Sequence, residues 1–377
     1  MIWIKEHKIK KRNVVIGCLI CLGIYCLTLI ILLVISNISW DTNKPNSDNY
    51  DLMNEKKGDK TPDLFRFIID TRLPEPKDST QYFNKIGGSG NHIELDIGYS
   101  EYNNFTLNWG DGSSVSYISS NINRSTFNKL IMHDYDTTNV YTITINGMLP
   151  GGIRFGRYND PIYEGEYRLI EVLDPLPCIN NSAYGTFIDC VNLAKIPSEL
   201  FEKNTHWSTF FNTFSNCTSL ADIPEGLFDK NIKAQAFVSV FFNCSSLKSI
   251  PQGLFDNNTQ VEYFSSIFAG CVKLIRIPTG IFDKNTLVTN FDDAFSNCIS
   301  LENIPQGIFD KNTHVTSFRS TFANCNSLTS IPMGLFDNNV LVTSFENAFS
   351  RCSSLKNIPE GLFNNNPLAA ETLSRVF

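Results

Sequence analysis

Three textures of apolar and polar positions follow one another along the chain. Residues 14–36, Val14 to Ser36, are 23 residues without a charge. As a helix that run would extend about 34 Å at ~1.5 Å per residue, enough for a hydrocarbon core of ~30 Å, so it predicts a spanning helix. From Leu64 to Leu149 the pattern alternates: Phe65, Phe67, Ile69; Ile93, Leu95, Ile97; Phe105, Leu107, Trp109; Tyr141, Ile143, Ile145. Period-2 runs broken by Gly, Asn and Asp clusters predict short antiparallel strands.

The third texture has a period of 27. Cys190, Cys217, Cys244, Cys271, Cys298, Cys325 and Cys352 each have Phe three residues before, Leu three after, Ile-Pro six and seven after, and Phe eleven after. A fixed period in the range of roughly 20–50 residues signals a solenoid. Proline at Pro251 forces Ile250 to be extended, which predicts a short strand from Leu247 to Ile250. Val261, Phe264, Phe268 and Cys271 stand 3, 4 and 3 apart. Those spacings fit one helix face, or an extended Val261–Phe264 followed by a single helical turn. Three buried Phe at about 1.5 to 3 kcal/mol each do not offset about 1 to 2 kcal/mol of backbone entropy per residue, so no coil stands alone. The first coil departs at Ala183 and Glu199, where later coils have Phe and Gly, and Ala234 replaces Val; terminal units are expected to be atypical.

These patterns predict an α+β multidomain chain. Residues 1–13 form a basic cytoplasmic tail, 14–36 a transmembrane anchor and 37–63 a disordered stalk. A β-sandwich over 64–149, a connector and N-terminal cap over 150–182, a solenoid over 183–366 and a C-terminal cap or partial coil over 367–377 follow. Lys5, Lys8, Lys10, Lys11 and Arg12 precede the apolar run, and Lys44 is the first basic residue after it. That bias predicts a single-pass protein of the cell membrane, N-terminus cytoplasmic and C-terminal region extracellular. The run exceeds a usual signal-peptide core and no small-x-small cleavage site follows it.

Composition narrows the function. With 42% hydrophobic and 18% charged residues the chain expects a sizeable core, and a net charge of -7 argues against nucleic acid as a partner. Of eleven Cys, three (Cys18, Cys21, Cys26) lie in the apolar run, seven are the repeat column and Cys178 is left over. One spacing implies one role, which favours buried, reduced thiols over disulfides between coils. Cys178 with Cys190 is the pair that a cap disulfide could join.

The chemistry-bearing residues point away from catalysis. Five His (His7, His92, His133, His206, His314) are scattered without a nucleophile motif, so no enzyme, cofactor or metal site is expected. Asp111, in a Gly-Asp-Gly turn, is read as a turn former, His133 as a packed strand-end residue, and Gly87-Gly88-Ser89-Gly90 as a flexible turn without a phosphate-binding helix. The Asp column (Asp229, Asp256, Asp283, Asp310, Asp337) and the Asn column (Asn231, Asn258, Asn285, Asn312, Asn339) fit a turn followed by a helix cap, with a calcium ladder as the alternative.

Two stretches carry a resemblance. F-T-L-N-W-G-D-G-S from Phe105, with His133-Asp134-Tyr135 and Val140-Tyr141-Thr142-Ile143-Thr144-Ile145, resembles a PKD-type (polycystic kidney disease) domain, an immunoglobulin-like β-sandwich. It departs at Thr138-Asn139-Val140, where that pattern usually has Gly. The phrases I-P-x-G-L-F-D and F-x-x-C-x-S-L together resemble leucine-rich-repeat proteins of the BspA-like surface family, over Gly185 to Asn366. That resemblance implies an adhesin-like surface protein presenting a leucine-rich-repeat solenoid to protein or glycan partners; the alternative is a structural or spacer protein of the envelope without a specific ligand. Residues that break the repeat supply the candidate partner-binding set: Trp207, Tyr263, Arg276, His314 and Arg319.

Overall fold

The computed structural model describes residues 64–73, 92–98, 104–118, 128–149, 151–155, 168–178 and 182–377. Alternation produces strands where it was read. Phe65, Phe67 and Ile69 of β1 (Leu64–Asp70) are fully buried, and Ile93, Leu95 and Ile97 of β2 (His92–Gly98), Phe105 and Leu107 of β3 (Asn104–Asn108) and Tyr141, Ile143 and Ile145 of β6 (Val140–Met148) are buried too. With β4 (Ser114–Ile118), β5 (Asn128–Asp134), β7 (Ile153–Arg154) and β8 (Leu169–Val172) they make two sheets, ordered β4-β3-β6-β1-β8 and β5-β2-β7. All pairings within them are antiparallel.

Trp109 to Ser113 close the β3–β4 hairpin, with the Trp109 amide donating to the Ser113 carbonyl at 3.1 Å. Gly110 turns at φ 86, and a Cβ there would lie 2.6 Å from the Thr142 carbonyl oxygen, so no other residue fits this approach.

Strand β8 links the sheets to the repeats. It pairs with β1, Phe67 opposite Val172, while Glu171 bridges in parallel to Lys195 of the first repeat. Phe155 stacks on Phe187 at 5.4 Å, and one contiguous core runs from Phe65 to Val376.

The repeats correct the class expected from the sequence. Among the described residues there is no α-helix; beyond the strands the elements are two 3-10 turns, Pro367–Ala369 and Leu373–Arg375. Neither the strand Leu247–Ile250 nor the helical options for Val261–Cys271 form, so a leucine-rich-repeat-type solenoid of strands and helices is not what the repeats build. Each is a chain of turns, and neighbours meet through isolated parallel bridges 27 residues apart: Ser182, Thr209, Ala236, Tyr263, Asn290, Ser317 and Ser344 in one row, with Arg276–Asn303 and Ser330–Asn357 in another. The physical reason lies in left-handed backbone at two places just before each Cys, besides the Gly of the Ile-Pro-x-Gly phrase in all coils but the first. The residue before each Cys (Asp189, Asn216, Asn243, Gly270, Asn297, Asn324, Arg351) and the fifth before it (Gly185, Asn212, Ser239, Ser266, Asp293, Ser320, Asn347) have φ between 52 and 77. One such residue ends a strand or a helix turn, and Asn, Asp and Gly are the side chains that tolerate it.

The predicted anchor Val14–Ser36 lies outside the described residues. Among the described residues no helix is long and apolar enough to cross a membrane. The transmembrane helix, membrane attachment through it and the single-pass localisation built on it are accordingly withdrawn.

Candidate partner-binding surface

Each coil spends its repeated residues on the core. The Phe columns stack coil on coil: Phe241 on Phe268 at 5.6 Å and 2°, Phe268 on Phe295 at 5.7 Å, and Phe318 on Phe345 at 5.9 Å. All seven column cysteines and Cys178 are buried and none is in a disulfide, so Cys178 and Cys190 are not joined. The Cys271 thiol donates to the Phe241 carbonyl at 3.2 Å, and Cys217, Cys244, Cys298, Cys325 and Cys352 repeat the bond. Burial pushes Cys178 up to about 12 and Cys352 up to about 11, and it raises Cys217, Cys244, Cys271, Cys298 and Cys325 well above the ordinary thiol range.

The Asn column differs from the helix cap expected of it. Asn231, Asn258, Asn285, Asn312, Asn339 and Asn366 are buried, and each donates its side-chain amide to the carbonyls 27 and 30 residues earlier. The Asp column serves a separate turn. Asp283 folds over Gly280, whose φ is 72 and whose added Cβ would meet the Asp283 carboxylate at 3.0 Å. In the first coil, where Glu199 replaces Gly, that left-handed turn is absent.

What remains for recognition is the outward rows. Tyr263 is 39% exposed in the bridging row between Ala236 and Asn290. Arg276 is exposed in the second bridging row, and His314 is exposed with its Nδ1 3.1 Å from the Thr286 carbonyl. Arg319 is half-buried, 3.7 Å from Asp292 and 3.5 Å from Asp293. Trp207 is only 1% exposed, packed on Phe201 and Phe210 in the row where later coils have Val, so it belongs to the core. The five candidates therefore occupy different rows and form no single site.

A better-organised surface was missed. The sixth residue before each Cys reads Tyr184, Phe211, Val238, Ser265, Asp292, Arg319 and Glu346, all partly exposed. The row contacts the bridging row one coil on: Ser265 donates to Asn290 at 2.7 Å, and Asp292 accepts from the Ser317 hydroxyl and the Arg319 amide, the latter at 2.9 Å. That register sets Tyr263 beside Val238. The ridge runs from aromatic and aliphatic side chains over the first three coils to charges over the last three. Burial holds Asp293, beside the charged half, up to about 6, with Arg319 pulling down and Asp292 pushing up. Aligning the coils on Cys and reading one variable column would have shown this ridge.

A second cluster lies in the β-region. His133 stacks on Trp109 at 4.6 Å and contacts the Asp111 carboxylate at 2.7 Å. Partial burial pushes the Asp111 carboxyl up, but hydrogen bonds from the Ser113 hydroxyl and amide and from His133 outweigh it and bring it down to about 2. The Tyr135 hydroxyl donates to the Trp109 carbonyl at 3.0 Å and its ring stacks on Tyr141. The Ser113 bonds hold the turn itself, and His133 and Tyr135, at the end of β5, tie it to the other sheet, which fits turn formation. Compared with family models and with curated proteins, the chain matches none.

Proposed function

We propose that the chain is a non-enzymatic binding protein that holds a protein or glycan partner along the outward rows of its repeats. The observation that carries this reading is the ridge of Tyr184, Phe211, Val238, Ser265, Asp292, Arg319 and Glu346, which changes chemistry from coil to coil while the inward Phe, Cys, Leu and Ile-Pro columns of the same coils repeat without change. A row needed only to fold has no reason to pass from aromatic to charged along its length. Aromatic and Arg side chains are the usual anchors of interfaces, and here they stand at both ends of one ridge with Tyr263 alongside. Affinity is then spread over several coils, as expected of a surface built by stacking. The resemblances to PKD-type domains and to BspA-like repeats agree with this role.

Glycan and protein arrays probed with the whole chain test it. The variant carrying Tyr263→Ala, Arg276→Ala and Arg319→Ala should keep its folded circular dichroism, since partly exposed positions rarely unfold a chain, and should lose affinity for the partner found. A partner bound equally well by that variant and by a Phe211→Ala variant would place the function elsewhere.

A further inference from the structure

Midway along the ridge, its apolar half meets its polar half at one aromatic ring. Tyr263 is the one aromatic residue of the bridging row that runs from Ser182 to Ser344. It is 39% exposed, with the small, buried Ala236 one coil before it. Asn290 follows one coil on, a step of 5.9 Å by the Phe264 and Phe291 rings. The Asn290 side chain is held in one orientation. Its Oδ1 accepts from the Asp292 backbone amide and from the Ser265 hydroxyl, both at 2.7 Å. A backbone amide can only donate, so the Asn290 Nδ2 faces away from both, and among the described residues it donates to nothing. Asp292 is fixed in the same way. Its Oδ1 accepts from the Ser317 hydroxyl and the Arg319 amide, while its Oδ2 has the Arg319 Nε at 3.7 Å, beyond hydrogen-bond reach.

An exposed aromatic residue, a fixed donor one coil away and a fixed acceptor beside that donor match one class of ligand. A pyranose ring has an apolar C–H face and a rim of hydroxyls, each able to donate and to accept. We infer that Tyr263, Asn290 and Asp292 hold one sugar ring of a glycan, its C–H face against Tyr263 and its hydroxyls on the Asn290 Nδ2 and the Asp292 Oδ2. Sites for small ligands combine apolar contact with a few placed polar groups in this way. This inference rests on the reading of the ridge as the binding face and names its ligand. Charge and backbone both favour a sugar over a peptide. Arg319 lies within 3.7 Å of both Asp292 and Asp293, which leaves little net charge to select an ionic partner. The Phe237 amide donates to the Tyr263 carbonyl and the Phe264 amide to the Asn290 carbonyl. The coils thus spend their backbone here on each other and leave no strand edge for a peptide to extend.

Saturation-transfer nuclear magnetic resonance of the whole chain tests it, with the methyl glycosides of glucose, galactose, mannose and N-acetylglucosamine as probes and titration calorimetry for the affinity of any that responds. At least one should respond. Tyr263→Ala should weaken its binding at least about tenfold, as for loss of an aromatic anchor. Asn290→Asp keeps the acceptor that the Ser265 hydroxyl and the Asp292 amide need and loses only the donor. It should weaken binding to a similar extent with circular dichroism unchanged. Asn290→Ser, the residue type that Ser317 and Ser344 place in the same row, should do the same. No response from any of these sugars, or an affinity indifferent to the substitutions at both positions, would overturn the proposal. The reading of the ridge is judged separately: a protein partner that loses affinity in the Tyr263→Ala, Arg276→Ala, Arg319→Ala variant would uphold it with no sugar bound.

Discussion

Asn285 donates its side-chain amide to the carbonyl oxygen of Asn258, one coil earlier, at 2.9 Å, and shares it with the Phe255 carbonyl at 3.0 Å. One side chain thus satisfies two backbone acceptors in a site closed to water. Such a group costs about 1–3 kcal/mol when left unpaired. Asn285→Ala should therefore lower the unfolding free energy by about 2 to 5 kcal/mol, read from urea denaturation. Asn285→Asp should be worse at neutral pH, because it loses both donors and sets a carboxylate against two carbonyl oxygens. A loss under half a kcal/mol in Asn285→Ala would mean that the ladder is incidental to stability.

Thiol chemistry gives a second expectation. Burial raises the column thiols, and the thiolate is the reactive form. In the folded chain the cysteines from Cys190 to Cys325 should resist maleimide over hours at pH 7 and all label in denaturant. Cys352, 9% exposed and raised only to about 11, should label first. Mass spectrometry of the quenched reaction checks the order, and uniform labelling would contradict it.

Strand positions in the β-region were legible because alternation reports burial directly, and Phe65, Phe67 and Ile69 lie where the pattern puts them. The columns of the repeat were equally plain, yet their backbone was not. Val261, Phe264, Phe268 and Cys271 share an inward side whether the chain is helical or a series of turns, so spacing alone could not separate the two. The signal that decides is the recurrence, in all coils but for Arg351, of Asn, Asp, Ser or Gly at the first and fifth positions before Cys, where the backbone has positive φ. Trp207 was misplaced for a related reason. A residue that breaks a repeat is not thereby exposed, and Trp207 fills the core in a row that holds the small Ala234 one coil on.

Acid should loosen the β-region before the repeats. The Asp111 carboxyl is held at about 2 in the folded chain against an ordinary 3.8. A depressed folded value contributes stability that is present above about pH 4 and is lost as pH falls toward 2. Asp70, lowered by its hydrogen bond to Arg72 despite burial, acts in the same direction. Asp111→Asn should flatten the pH dependence of unfolding between pH 4 and 2, followed by near-ultraviolet circular dichroism of Trp109. An unchanged slope would remove Asp111 from the acid response.

The opposite sign holds at Asp293. Burial raises its carboxyl to about 6 against an ordinary 3.8, so the folded chain binds this proton more tightly than the unfolded one. That favourable contribution is present below about pH 4 and disappears as pH rises through 6, leaving a destabilising charge above it. Arg319 offsets the charge only in part, at 3.5 Å and with about a third of each side chain exposed. Asp293 sits at φ 56, a conformation that Asn212 and Asn347 adopt at the same position of other coils, so Asn can replace it without strain. Asp293→Asn should therefore raise stability at pH 8 by on the order of 1 kcal/mol after solvent screening and change it little at pH 4. Thermal unfolding of both chains at the two pH values measures the difference. A variant equally stabilised at both would assign the gain to the Asn conformation, and one destabilised at pH 8 would make the Arg319 ion pair the dominant interaction.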